Sequence, residues 1–179
     1  MRSASRMTPM NIGGMGGENS VSLRIFLHGL ESNNQGTKAV FFREHFPGML
    51  TPNFQGSLRD RMEQLKPMLA AENDLTLVGS SFGGLMAAIF ALTDTARVRK
   101  LILLAPALNL LPLTNYPLKK IATPAFIFHG TQDSVIPIDA SLKISQKIFS
   151  QCAFKKVVDD HFLHNTFPII DWKQLLDVL

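Results

Sequence analysis

The chain has one cysteine, Cys152, which excludes an intramolecular disulfide and fits a reducing, cytoplasmic setting. Cys152 also stands outside any Cys/His cluster, so neither a metal nor another cofactor is expected. Long apolar runs are missing too. The greasiest stretch, residues 101–113, is broken by Pro106, Asn109 and Pro112 and falls short of the roughly 20 residues that a spanning helix needs. Residues 1–19, rich in Met, Gly and Ser, lack the roughly 7–15-residue apolar core of a secretory signal. Gly13-Gly14-Met15-Gly16-Gly17 has no strand before it and no Lys-Ser/Thr after it, which excludes a phosphate loop. Residues 1–20 are expected to be a disordered tail. Charge is modest at 18% of residues, against 46% hydrophobic, a balance that points away from both disorder and a membrane protein. The net charge of +4 comes from scattered pairs such as Lys119-Lys120 and Lys155-Lys156, without interleaved aromatics, so no nucleic-acid partner is expected.

What the chain does contain, over residues 21–179, is the material for one domain with one core. Apolar strand-like runs at residues 21–27, 49–52, 74–78, 98–104, 124–128 and 153–158 alternate with helix-like spacing at 37–46, 57–69, 85–93, 138–149 and 168–179. The runs at 98–104 and 124–128 are near-continuously apolar, as in strands covered on both faces. The alternation predicts an α/β fold, a mostly parallel central sheet of about six strands flanked by helices on both faces. Residues 105–120, with Pro106, Pro112 and Pro117, have no clear period and are expected to form a loop or a very small lid.

In such a sheet ligands bind beyond the carboxyl ends of the strands, and four polar clusters fall there. The first is Gly79-Ser80-Ser81-Phe82-Gly83-Gly84, which joins a strand-like run to a helix-like run. The spacing Gly79-x-Ser81-x-Gly83 suits a nucleophile elbow, in which Ser81 is held in a strained conformation at the strand end. Ser80 fails that test because Val78 and Phe82 occupy its flanks. The amide of Phe82, at the helix N-terminus, would face a developing oxyanion. The other clusters are His28-Gly29-Leu30, His129-Gly130-Thr131-Gln132-Asp133, and Asp159-Asp160-His161-Phe162. A serine hydroxyl is a weak nucleophile at neutral pH; an imidazole, with an ordinary pKa of about 6.5, can take its proton and return it, and an aspartate fixes the tautomer. Asp133 directly follows the turn after a buried strand, whereas Asp139 has the look of a first-turn helix residue and Asp159 and Asp160 lie too near His161 in sequence. For the base, His161 and His164 share one loop; His45 lies within a helix, and His28 and His129 are better suited to shaping their loops.

With Phe26-Leu27-His28-Gly29, Val78 to Gly84, His129 to Pro137 and Asp160-His161-Phe162 in place, residues 21–179 resemble the α/β-hydrolase superfamily, and within it the small YqiA/YcfP-like esterases without a large cap. The resemblance implies a compact α/β-hydrolase fold with minimal or no cap, Ser81 as nucleophile, His161 rather than His164 as base, Asp133 as orienting acid, and the Leu30 and Phe82 amides as oxyanion donors. His28, Gly29, Gly79 and Gly83 are the supporting positions. The expected activity is cleavage of carboxylic esters, with thioesters as an extension, on a small-molecule or acyl-bearing substrate. The competing readings are a non-catalytic ligand- or protein-binding module on the same fold, and a peptidase or amidase. Substrate identity, acyl length and oligomeric state are not written in the sequence.

Overall fold

The computed structural model describes residues 22–177; the tail expected at residues 1–20 lies outside them. Five strands form one sheet in the order β1 (Leu23–Leu27), β2 (Leu75–Ser80), β3 (Val98–Leu104), β4 (Ala125–Gly130), β5 (Cys152–Val157). All four pairings are parallel. Parallel strands need crossovers, and these carry α1 (Thr37–His45), α2 (Leu58–Met68), α3 (Phe82–Thr93) and α4 (Ile138–Ile148).

Alternate residues of the strands supply two cores. On one face Ile25, Leu27, Leu75, Leu77, Leu101, Leu103 and Ile127 pack with Met62 and Leu65 of α2, nearly all of α3, and Ile144 and Ile148 of α4. On the other, Phe26, Val78, Ile102, Leu104 and Phe128 meet Phe42 of α1, with Phe167 and Trp172 from the C-terminal segment. Burial on both faces is why β2, β4 and the second half of β3 read as near-continuous apolar runs. α3, with every residue from Gly83 to Leu92 buried, is the central helix and starts at the serine turn.

Two expectations change. Of the six strand-like runs, residues 49–52 form no strand; Leu50 makes one parallel bridge to Ile25, exchanging hydrogen bonds with Arg24 and Phe26. Pro52, with no N–H to give, stops the ladder there. At the far end, the helix expected over residues 168–179, of which 178–179 lie outside the described residues, is instead a single 3-10 turn at Phe167–Ile169 followed by α5 (Trp172–Leu175). The break falls where Ile170 is extended and Asp171 starts a new turn by accepting from the Gln174 amide at 3.0 Å.

The Leu50 bridge decides where a ligand site falls. From β1 the chain moves outward through α1 to Leu50, on the edge of β1 away from β2, and then returns through α2 to β2. Direction therefore reverses at β1, and the carboxyl ends of β1 and β2 flank the switch point at which open α/β sheets bind ligands.

Candidate active site

Ser81 sits at the junction of β2 and α3 with φ 54° and ψ −116°, a region that a non-glycine residue occupies only when its surroundings hold it there, at about 1–3 kcal/mol. Its N–H donates to Leu104 at 2.9 Å, and its carbonyl accepts from Gly84 at 2.9 Å, Leu85 at 3.2 Å and Ala107 at 3.0 Å. The glycines make the turn possible by close approach. A Cβ on Gly79 would collide with the Gly83 carbonyl, and one on Gly83 with the carbonyls of Leu27 and His28.

Asp133 and His161 come to the serine from the ends of β4 and β5. His161 Nδ1 lies 2.8 Å from Asp133 Oδ2, and His161 Nε2 lies 3.1 Å from Ser81 Oγ. The Asp133 side chain is fully buried and that of His161 is 11% exposed. The other carboxylate oxygen, Oδ1, accepts from the amides of Val135 and Ile136, both at 2.8 Å, so Asp133 is held as an acceptor for an Nδ1–H. With Nδ1 protonated, Nε2 is free to accept from the serine hydroxyl.

His28 is locked elsewhere. Its Nδ1 donates to the Gly29 carbonyl at 2.8 Å and its Nε2 accepts from the Phe54 amide at 2.9 Å, an arrangement that only the neutral ring satisfies; burial pulls its pKa down. His129 is also buried, its pKa likewise lowered by burial, and its Nδ1 stays 3.7 Å from Asp133 Oδ2, too far to compete with His161. His164 turns to Asp160 instead, 2.7 Å from Nδ1 to Oδ2, and is largely exposed. Asp139 is 90% exposed. His45 stacks on Phe41 at the end of α1.

Ser81, His161, Leu30 and Phe82 line a cleft of about 670 Å³. Its floor and walls are mostly apolar, with Phe26, Leu110, Ile136, Leu163 and Phe167 among them, and Lys38 and His164 on one side. The segment expected as a loop or small lid contributes only Ala107 and Leu110 to the cleft and contains a 3-10 helix at Leu108–Leu113 anchored by buried Leu108 and Leu111. No group of His, Cys, Asp or Glu among the described residues is placed to hold a metal, and no helix among them is long and apolar enough to cross a membrane.

Two residues that organise the site were missed by sequence reasoning. Asp159, 2% exposed, accepts from the amides of Asp160, Asn165 and Thr166 at 2.9, 3.0 and 2.7 Å and so shapes the loop that presents His161. Burial opposes its ionisation, but these bonds outweigh it and hold its carboxyl below the usual range. Arg61 of α2, 4% exposed, reaches the carbonyls of Gly29 and Leu30. A carboxylate two residues before a histidine, and an arginine on a polar helix face, carry no signal of either task; the capping Ser57 before α2 marks a helix start but not where Arg61 points.

A parallel sheet with helices on both faces, a strained serine between β2 and α3, and an Asp and a His from the ends of β4 and β5 define the α/β-hydrolase fold. Within that class, the chain belongs to the uncharacterised protein family UPF0227, whose model matches residues 23–124. No curated protein matches the chain in sequence. Solved structures share the architecture. Est1E from Butyrivibrio proteoclasticus is 17% identical with TM-score 0.69, over 89% of this chain and 88% of that one. An alpha-beta serine hydrolase homologue from Coxiella burnetii is 21% identical with TM-score 0.66, over 88% and 86%. Alpha/beta hydrolase domain-containing protein 10 from mouse is 19% identical with TM-score 0.65, over 78% and 81%. At these identities the likeness is one of fold.

Proposed function

We propose that the protein is a serine hydrolase that cleaves carboxylic esters through an acyl-enzyme intermediate. The observation that carries this is the hydrogen-bonded chain from Ser81 Oγ to His161 to Asp133, with Ser81 at positive φ and a cleft open beside it. Ser81 Oγ attacks the ester carbonyl carbon as His161 Nε2 takes its proton. The carbonyl oxygen, now anionic, is met by the Leu30 and Phe82 N–H groups; the Phe82 amide begins α3, where N–H groups lack helical partners. As the intermediate collapses, the imidazolium returns its proton to the departing alkoxide and an alcohol leaves. Water, deprotonated by the same nitrogen, then attacks the acyl-serine, and the acid is released with the serine restored. Asp133 stays ionised throughout, stabilising the imidazolium.

The mostly apolar cleft supports an acyl or aryl group as the bound part. Structures of the same fold include Est1E with ferulic acid bound and a carboxylesterase from Bacillus cereus, consistent with esters as the first substrates to try. Thioesters fit the same chemistry, since a thiolate leaves at least as readily as an alkoxide. The reading is tested with p-nitrophenyl acetate: the wild-type protein is expected to release nitrophenol, and both Ser81→Ala and His161→Ala to lose that turnover. A folded wild-type protein inert toward p-nitrophenyl acetate and its longer-chain esters would overturn the reading in favour of a binding module.

A further inference from the structure

We infer that Arg61, on α2, is a positioning residue for the oxyanion hole, acting through the backbone of the loop after β1. It rests on the hydrolase reading for its consequence in catalysis, though not for its geometry. Arg61 is 4% exposed, and no carboxylate among the described residues lies within salt-bridge distance of its guanidinium. A buried cation without a counter-ion is costly and is retained where carbonyl dipoles solvate it. Its Nη2 donates to the Leu30 carbonyl at 3.0 Å, its Nη1 to the Gly29 carbonyl at 3.4 Å and its Nε to the Gly56 carbonyl at 3.2 Å.

The Gly29 carbonyl and the Leu30 N–H lie in one trans peptide plane and point in opposite directions within it. A donor that fixes that oxygen therefore fixes the direction of the N–H. Two donors do so: Arg61 Nη1, and His28 Nδ1 at 2.8 Å. The second Arg61 bond, to Leu30, holds the next peptide, so the Leu30 amide is clamped from both sides. Hydrogen bonds to the carbonyl also polarise the peptide and strengthen its N–H as a donor. The loop lies against the nucleophile: a Cβ on Gly29 would stand 3.5 Å from Ser81 Cβ. The Leu30 amide itself gives no hydrogen bond to backbone among the described residues. The guanidinium meanwhile lies 5.5 Å from the centre of the Phe82 ring, touching the residue that carries the other donor. One side chain thus ties α2 to both residues of the oxyanion hole.

A brace that merely held α2 in place would affect stability without affecting transition-state binding. The test uses Arg61→Met, which keeps the stem, and Arg61→Lys, which keeps the charge but not the fork. The first readout is the Leu30 amide in 15N-labelled protein, which needs no turnover. Its resonance is expected to move and its order to fall in both folded variants. The second readout is kinetic: kcat on p-nitrophenyl acetate is expected to drop about tenfold to a hundredfold in Arg61→Met, below the roughly 10²–10³ for losing a whole donor, and less in Arg61→Lys. KM and the pH dependence should stay put. Affinity for an alkyl trifluoromethyl ketone, whose adduct with Ser81 carries the oxyanion, should fall by the same factor as kcat/KM. A Leu30 amide unmoved in folded variants, or kcat within twofold of wild type, overturns the inference. If the wild-type protein proves inert, the hydrolase reading falls alone and the Leu30 amide still decides the matter.

Discussion

Ser81 is where a single atom matters most. Removing its Oγ by Ser81→Ala is expected to cost about a millionfold in kcat, as in comparable triads, because the other two residues then have nothing to activate. Asp133→Asn should cost about 10⁴-fold, since an amide would turn the His161 ring to the wrong tautomer while leaving its position unchanged; circular dichroism and kcat together check this. His164→Ala, by contrast, should retain most activity, because that ring is bound to Asp160 on the cleft wall. That Ser81, Asp133 and His161 would meet was legible because each follows a strand within a short, recognisable turn. Leu30 and Phe82 were named from their places in the chain, and the geometry of their amides, which depends on peptide planes, was not legible. Arg61 and Asp159 were not legible: one acts across 31 residues of chain on the Leu30 carbonyl, the other by accepting from backbone amides, and neither leaves a local pattern.

Among the elements, the contact of α3 with the end of β1 carries the tightest constraint. Gly83→Ala would press a methyl into the Leu27 and His28 carbonyls, costing about 1–3 kcal/mol as overpacking does. It would also push the His28-Gly29-Leu30 loop away from Ser81, so the urea midpoint and kcat should fall together. Ser57→Ala is the contrasting change. Ser57 Oγ accepts from the Asp60 amide while Asp60 Oδ2 accepts from the Ser57 amide at 2.8 Å; losing this capping box should cost about 1 kcal/mol and leave Ser81 chemistry in place. The helices α1 to α4 were legible from spacing because each buries one stripe or, for α3, every face. The C-terminal helix was misjudged because its apolar residues serve a 3-10 turn and a short helix that share one pocket, with Trp172 Nε1 donating to the Phe167 carbonyl at 3.0 Å. Periodicity cannot tell a bent pair from a continuous helix.

The described residues form a sheet whose central strands are buried on both faces, and two neutral histidines lie inside it. Burial lowers the pKa of both His28 and His129. The unfolded chain binds protons at these sites at about pH 6.5, whereas the folded chain resists doing so, so stability is fully present above that pH and is lost as the pH falls below it. Urea midpoints are therefore expected to decline from pH 7.5 to pH 5, with a further decline in stronger acid as Asp159, whose carboxyl is held below the usual range, takes up its proton. A midpoint that holds or rises between pH 7.5 and 5 would contradict this. At this scale the parallel, two-faced sheet was legible in the near-continuous apolar runs of β3 and β4. The reversal at β1 was not, because it hangs on a single bridge at Leu50.

The central claim is that Ser81 is an activated nucleophile, and the most direct measurement is intact mass after incubation with a fluorophosphonate, followed by digestion to locate the adduct. One equivalent per folded wild-type chain, on the peptide containing Ser81, and none on Ser81→Ala is the predicted result. A folded wild-type protein that takes up no probe, or an adduct undiminished in Ser81→Ala, would contradict it.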